Sequence, residues 1–221
     1  ELAENPNIKI IDFTGSSTFG KYIEELPNKI TFTEKAGVNS MIIDSVADLG
    51  AMAQNVAFSL CLYSGQMCTA PQNFFIPKDG IKAAGQQVSF DDVKNAIVDA
   101  VKGLVGHPKM APAVLAAIQS DATHQRVQDA KKLGGTVLLE SQPVANAEFP
   151  ELRSASPVII EVPSSEKRIY SSELFGPIAF IIPTSGTDES IELASSIARE
   201  HGAISCGACT VDAACMEKIG D

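Results

Sequence analysis

Short β-branched and aromatic runs alternate with segments of helical period from one end of the chain to the other, and this limits the fold more than any other feature. Residues 7–13 read as a strand, and Thr14-Gly15-Ser16-Ser17 then turns into a helix over 18–26, where Phe19, Tyr22, Ile23 and Leu26 recur at three and four. The same reading predicts strands at 29–33, 40–43, 72–77, 136–139, 157–162, 178–183 and 204–211. Helices are predicted at 46–61, 89–105, 123–133 and 188–199, with Ser89 as an N-cap and Asp91 and Asp92 in the first turn after it. Residues 106–112 and 141–156 carry breakers without periodicity and read as surface loops. Such alternation is the pattern of an α/β fold layered about a largely parallel sheet.

A chain of 221 residues is long enough to bury roughly 70% of its unfolded surface, so it needs no covalent staples. Hydrophobic residues at 45% and charged residues at 20% fit a globular chain rather than a disordered one. Seventeen Lys and Arg against 27 Asp and Glu give a net charge of −10, and no stretch gathers basic residues into a stripe. Nucleic acid and anionic membrane are therefore not expected partners. Cys61, Cys68, Cys206, Cys209 and Cys215 are an odd set in a chain that needs no bridges, which points to free thiols in a reducing, cytoplasmic setting. No apolar run reaches the roughly 18 to 20 residues that span a bilayer. The chain starts on Glu1 rather than Met, with an element beginning within a few residues, and a piece of a longer polypeptide is expected.

Gly65-Gln66-Met67-Cys68 places a thiol just past a helix end, behind a glycine that permits a sharp turn. Alone it proves little, because a free cysteine is most often a small buried hydrophobe. Its company changes the weight. Phe13-Thr14-Gly15-Ser16 and Thr33-Glu34-Lys35-Ala36-Gly37 precede it, and Glu173-Leu174-Phe175-Gly176-Pro177 follows. Together, and in this order, the four motifs resemble the aldehyde dehydrogenase superfamily, over nearly the whole chain. The 34 residues between Glu34 and Cys68 match the family's interval between its general base and its nucleophile.

The resemblance implies a three-layer α/β catalytic domain over residues 35–221, preceded in residues 1–34 by the last part of a coenzyme-binding domain. It implies Cys68 as the nucleophile and Glu34 as the base that activates water. Gly15 and Ser16 would lie at the helix-leading turn near the pyrophosphate and nicotinamide of NAD or NADP, Glu173 would bind the nicotinamide ribose, and Phe175 would pack beside it. The expected partners are an aldehyde substrate and further copies of the chain in a homo-oligomer. The chemistry suits these residue types. A thiolate adds to the carbonyl, hydride then leaves the tetrahedral adduct, and a carboxylate draws a proton from water to hydrolyse the thioester. The Cys68 N–H is a candidate donor to the oxyanion.

The chain also departs from the family pattern. Glu34-Lys35-Ala36-Gly37-Val38-Asn39-Ser40 stands where Glu-Leu-Gly-Gly-Lys-Ser-Pro is usual, Asn73 replaces a common Arg, and the 105 residues from Cys68 to Glu173 exceed the usual interval, with the excess expected around 107–120. Tyr63 to Asn73 looks most like the bacterial phenylacetate-degradation branch, the PaaN type. Two other outcomes stay open, a dehydrogenase that passes the acyl group to coenzyme A and a catalytically silent domain kept for subunit association. His201, Cys206, Cys209 and Cys215 lack the second Cys-x-x-Cys or paired His of a zinc site, so no metal is expected and buried thiols are. A Cys–His hydrolase using His107, His124 or His201 is disfavoured, since no base motif flanks those histidines.

Overall fold

The computed structural model describes residues 1–35 and 37–221, so the Ala36 substitution lies outside the described residues. The chain divides into two units, residues 1–37 and residues 38–221.

In the 1–37 unit, β1 (Ile10–Gly15) and β2 (Ile30–Lys35) pair in parallel across helix α1 (Ser17–Glu24). Ser16 caps the helix, its Oγ accepting the Phe19 N–H at 3.3 Å. Phe13, Phe19 and Tyr22 stack in series with ring centroids 5.3 Å apart. The first strand begins three residues later than predicted. The Lys29 ammonium donates to the Asn5 and Ile8 carbonyls at 2.5 and 2.6 Å, and Ile8 N–H bonds back to Asn5, which holds that segment in turns. Ile10, Ile30 and Phe32 stay about 60% exposed on this ribbon.

The 38–221 unit opens with β3 (Ser40–Ile43), the short β4 (Ser45–Val46) and α2 (Leu49–Cys61). β5 (Asn73–Pro77) leads to a hairpin of β6 (Ile81–Ala83) and β7 (Gln86–Val88), and α3 (Phe90–Gly106), α4 (Met110–Val114) and α5 (Asp121–Asp129) follow. The chain continues through β8 (Thr136–Leu139), β9 (Val158–Glu161), α6 (Lys167–Tyr170), β10 (Ile178–Thr184), α7 (Thr187–His201), β11 (Cys206–Cys209) and α8 (Ala213–Gly220). Six strands form one sheet in the order β11-β3-β5-β10-β9-β8, parallel except where β8 meets β9.

Alternation along the inner strands builds two cores, one on each face. Phe74, Ile76, Ile159, Ala179 and Ile181 face α2 and α3, whereas Phe75, Val158, Ile160, Phe180 and Ile182 face α5 and α7. Because both faces are covered, these strands read as unbroken apolar runs, and each fully buried Phe or Ile contributes about 1.5–3 kcal/mol. This is the three-layer α/β arrangement with a largely parallel sheet.

Two local readings are corrected, and one element without a sequence reading is added. The helix predicted from 46 starts at Leu49, because the Asp48 carboxylate caps it on Ala51 N–H at 3.0 Å while Ser45–Val46 pairs with β6. The hairpin turn at Ala84 and Gly85 takes left-handed φ of 49° and 79°, a turn type usually announced by Asn-Gly, so the sequence carried no clear signal for it. Within the expected 106–112 loop, helix α4 begins at Met110, with Pro112 in its first turns where no amide is missed.

Candidate active site

Cys68 is held by a turn that its own sequence would not choose. After α2 the chain passes through three successive left-handed residues, Tyr63, Ser64 and Gly65, with φ of 50°, 55° and 61°. Two of them carry side chains, a conformation that costs about 1–3 kcal/mol each unless the surroundings enforce it. The segment 116–119 does so. The fully buried Ser64 Oγ donates to the Ala116 carbonyl at 3.0 Å and accepts the Ala116 N–H at 3.1 Å. Gln66 donates to the Ala117 carbonyl and accepts the Gln119 N–H, both at 2.9 Å. The chain then lifts Cys68 into an exposed position. Its carbonyl accepts from Asn39 Nδ2 at 2.7 Å, and Asn39 Oδ1 accepts the N–H groups of Ile204 and Ser205. Among the described residues no hydrogen bond uses the Cys68 N–H, which leaves that donor available to an oxyanion.

The Glu173–Pro177 segment meets the thiol turn inside this unit. A β-carbon on Gly65 would stand 2.6 Å from the Gly176 carbonyl oxygen, so the two backbones touch. Gln72 and Asn73 at the start of β5 donate side-chain hydrogen bonds to the Tyr170 carbonyl, and Arg126 holds the Phe175 carbonyl at 2.8 Å. Glu173 and Phe175 are half-buried. Asn39, Ser64, Gln72 and Arg126 were not singled out as site residues by the sequence, because each acts on backbone groups far along the chain.

In the 1–37 unit, Gly15 ends β1, Ser16 caps α1, and Glu34 sits one residue before the end of β2, opposite Thr14 in the parallel register. Glu34 is exposed and its carboxylate has no hydrogen bond or ion pair among the described residues, while its neighbour Lys35 pairs with Glu24 at 2.8 Å. The first turn of α1 carries no acidic residue, and its Ser17 and Thr18 amides precede the helical ladder. That donor set suits an anion such as a dinucleotide pyrophosphate. A β-carbon on Gly15 would stand 2.6 Å from the Phe13 ring, which crosses the turn.

A family model described as the aldehyde dehydrogenase family matches residues 1–219. The chain belongs to that family. An NAD-dependent aldehyde dehydrogenase from Burkholderia multivorans, solved by crystallography, is 43% identical with a TM-score of 0.95 over 99% of this chain and 39% of its own. Aldehyde dehydrogenase LUC3 of Fusarium is 31% identical over 88% of this chain and 41% of itself, and 1-pyrroline-5-carboxylate dehydrogenase of Bacillus subtilis is 26% identical over 88% and 38%. The chain thus spans about two fifths of the length of these relatives.

Within this aldehyde dehydrogenase unit Cys61 follows expectation and the three later thiols do not. Cys61 is buried, and burial pushes its thiol up to about 12. Cys206, expected to be buried, is exposed on the sheet-edge strand β11, and Cys209 and Cys215 are half-buried. An edge strand has a partner on one side only, which is why the apolar pattern there did not translate into burial. Partial burial still raises all three of these thiols. Among the described residues there is no group of three or more His, Cys, Asp or Glu placed to hold a metal ion, and no helix is long and apolar enough to cross a membrane.

Proposed function

We propose that this chain is the catalytic part of an NAD(P)-dependent aldehyde dehydrogenase, with residues 35–221 forming the catalytic domain and residues 1–34 the last strand–helix–strand of its coenzyme-binding domain. The observation that carries the reading is the exposed Cys68 on an enforced left-handed turn whose Gly65 backbone lies against Gly176 of the Glu173–Pro177 segment. The exposed apolar side chains of Ile10, Ile30 and Phe32 on a two-stranded ribbon support the reading of residues 1–34 as part of a larger sheet.

In this reading the Cys68 thiolate adds to the aldehyde carbon, and the Cys68 N–H bonds to the oxygen as it becomes negative. One such donor contributes about 2.7–4 kcal/mol to the transition state. When bound, the nicotinamide supplies a hydride acceptor, and NAD or NADP would be held by the Ser16-capped helix start, the Glu173 carboxylate and the Phe175 ring. Cys68 Sγ next carries the acyl group as a thioester. Glu34 takes a proton from water, the water oxygen attacks the thioester carbon, and the carboxylic acid leaves as Cys68 is regenerated. Resemblance of Tyr63 to Asn73 to the phenylacetate-degradation branch supports an aldehyde from aromatic breakdown as substrate, in a cytoplasmic homo-oligomer.

The test is a product assay on the full-length protein with a panel of aldehydes and both dinucleotides. Free acid with stoichiometric reduced dinucleotide, lost in Cys68→Ser, is the expected result. Acyl-CoA formed only with added coenzyme A would replace water by a thiol as the acyl acceptor, and no turnover with any aldehyde would leave a silent association domain.

A further inference from the structure

The Gln72 side chain is almost fully buried at the start of β5, four residues after Cys68, and a buried amide must find partners for both its ends. Apart from a long 3.5 Å contact from Nε2 to Asn73 Oδ1, it finds them in one short segment. Nε2 donates to the carbonyls of Tyr170 and Ser172 at 3.2 and 3.1 Å, and Oε1 accepts the Leu174 N–H at 2.7 Å. The Ser172 carbonyl belongs to the peptide unit that enters Glu173, and the Leu174 N–H belongs to the unit that leaves it. One side chain therefore holds both peptide planes that flank the Glu173 Cα, which fixes the two dihedrals of that residue.

Gln72 is itself tied to the thiol turn. Its backbone N–H donates to the Asn39 carbonyl at 3.0 Å, and the Asn39 side chain holds the Cys68 carbonyl. Its own carbonyl accepts the Phe180 N–H at 2.8 Å, so the backbone from which it reaches is locked in the sheet. Asn73, fully buried beside it, adds a second donor to the Tyr170 carbonyl at 3.0 Å. A continuous line of hydrogen bonds thus runs from Cys68 through Asn39 and Gln72 to the backbone on either side of Glu173.

We propose that Gln72 is a positioning residue that sets the orientation of Glu173, and through it dinucleotide affinity, relative to the Cys68 turn. This rests on the reading above, in which Glu173 holds the nicotinamide ribose. The chemistry asks for glutamine specifically: a carboxylate keeps the acceptor for Leu174 but faces two carbonyls without a donor, and leucine of similar length offers neither.

The experiment compares Gln72→Leu, Gln72→Glu and Glu173→Gln in the full-length protein. Three quantities are read for each: the KM for NAD and NADP, kcat, and the rate at which iodoacetamide alkylates Cys68 without dinucleotide. We expect Gln72→Leu to raise the dinucleotide KM about tenfold, the equivalent of one net hydrogen bond, with Cys68 alkylation within about twofold of the parent. Gln72→Glu should show the same split and serves if the leucine variant does not fold. An unchanged dinucleotide KM in both Gln72 variants overturns the proposal, provided Glu173→Gln raises it. If Glu173→Gln also leaves the KM unchanged, the ribose role of Glu173 is what fails and the proposal falls with it. Parallel loss of Cys68 reactivity, melting temperature and dinucleotide affinity in both Gln72 variants would make Gln72 a general prop of the fold and overturn the proposal as well.

Discussion

Gly65 meets Gly176 backbone to backbone: a β-carbon on Gly65 would stand 2.6 Å from the Gly176 carbonyl oxygen and 2.9 Å from Pro177 Cα. Both residues have positive φ, 61° and 134°, so each is glycine for its conformation, and a β-carbon on Gly176 would in addition crowd the Thr123 methyl at 3.1 Å. The contact brings Cys68 and Glu173, 105 positions apart, onto adjoining turns.

Gly65→Ala should therefore be costly. The left-handed conformation alone costs a side-chain-bearing residue about 1–2 kcal/mol, and the backbone cannot yield to the new methyl as a flexible side chain would. We expect a lower urea midpoint and a changed rate of Cys68 alkylation in the same variant. Gly103→Ala is the opposite case, since Gly103 lies inside α3 with open space where its β-carbon would go. That variant should gain about 0.5–1 kcal/mol. A Gly65→Ala protein as stable as the parent would mean that the two turns separate without cost.

Cys68 should be the thiol alkylated first. It is exposed, whereas Cys61 is buried and Cys209 and Cys215 are half-buried, and desolvation of the sulfur holds these three thiols and that of Cys206 above the usual range and so lowers their thiolate fraction. Brief iodoacetamide treatment followed by peptide mass mapping reads the order directly. Modification of Cys206 ahead of Cys68 would remove the nucleophile assignment, and Cys206 is the sharper competitor because it too is exposed.

Glu34→Gln in the full-length protein should keep a first-turnover burst of reduced dinucleotide while steady-state turnover falls by about 10²–10⁴-fold. The amide retains the shape of the side chain and cannot take the proton from water. Rapid-mixing absorbance at the reduced nicotinamide band measures both phases. Loss of the burst along with turnover would move Glu34 to an earlier step, the activation of Cys68.

What the sequence made legible follows from period and motif. The inner strands 158–161 and 178–184 were readable because burial on both faces leaves an unbroken apolar run, and α3 because Ser89, Asp91 and Asp92 mark its start. The β6–β7 hairpin was not, since Ala84 adopts a left-handed φ that its residue type disfavours and the long-range pairing with β4 supplies the reason. The site shows the same division. Cys68 and the Glu173–Pro177 segment, which the fold brings onto adjoining turns, were visible as motifs, but Ser64 and Gln72 act on carbonyls 52 and 98 to 100 positions away, and spacing along a chain says nothing of such partners.

Two buried acids predict how stability responds to alkali. The Cys61 thiol is pushed up to about 12 from 9.0 by burial, and the Tyr170 hydroxyl to about 12 from 10.0 by burial and then by the charge of Glu189. Both groups stay protonated in the folded chain after the unfolded chain has begun to lose its protons. The unfolded state then binds fewer protons than the native one, so stability falls as pH rises. The contribution of Cys61 is complete below about pH 9 and is lost between that value and 12, while that of Tyr170 starts to fall only near pH 10. Each group adds a slope of at most about 1.4 kcal/mol per pH unit inside its window. Cys61→Ala isolates the first. It opens a small cavity in the core beneath α2 and should lower stability at pH 8, yet its urea midpoint should decline less steeply than the parent's between pH 9 and 10. Equal slopes for the two proteins in that window would show that the Cys61 thiol ionises in the folded chain as readily as in the unfolded one.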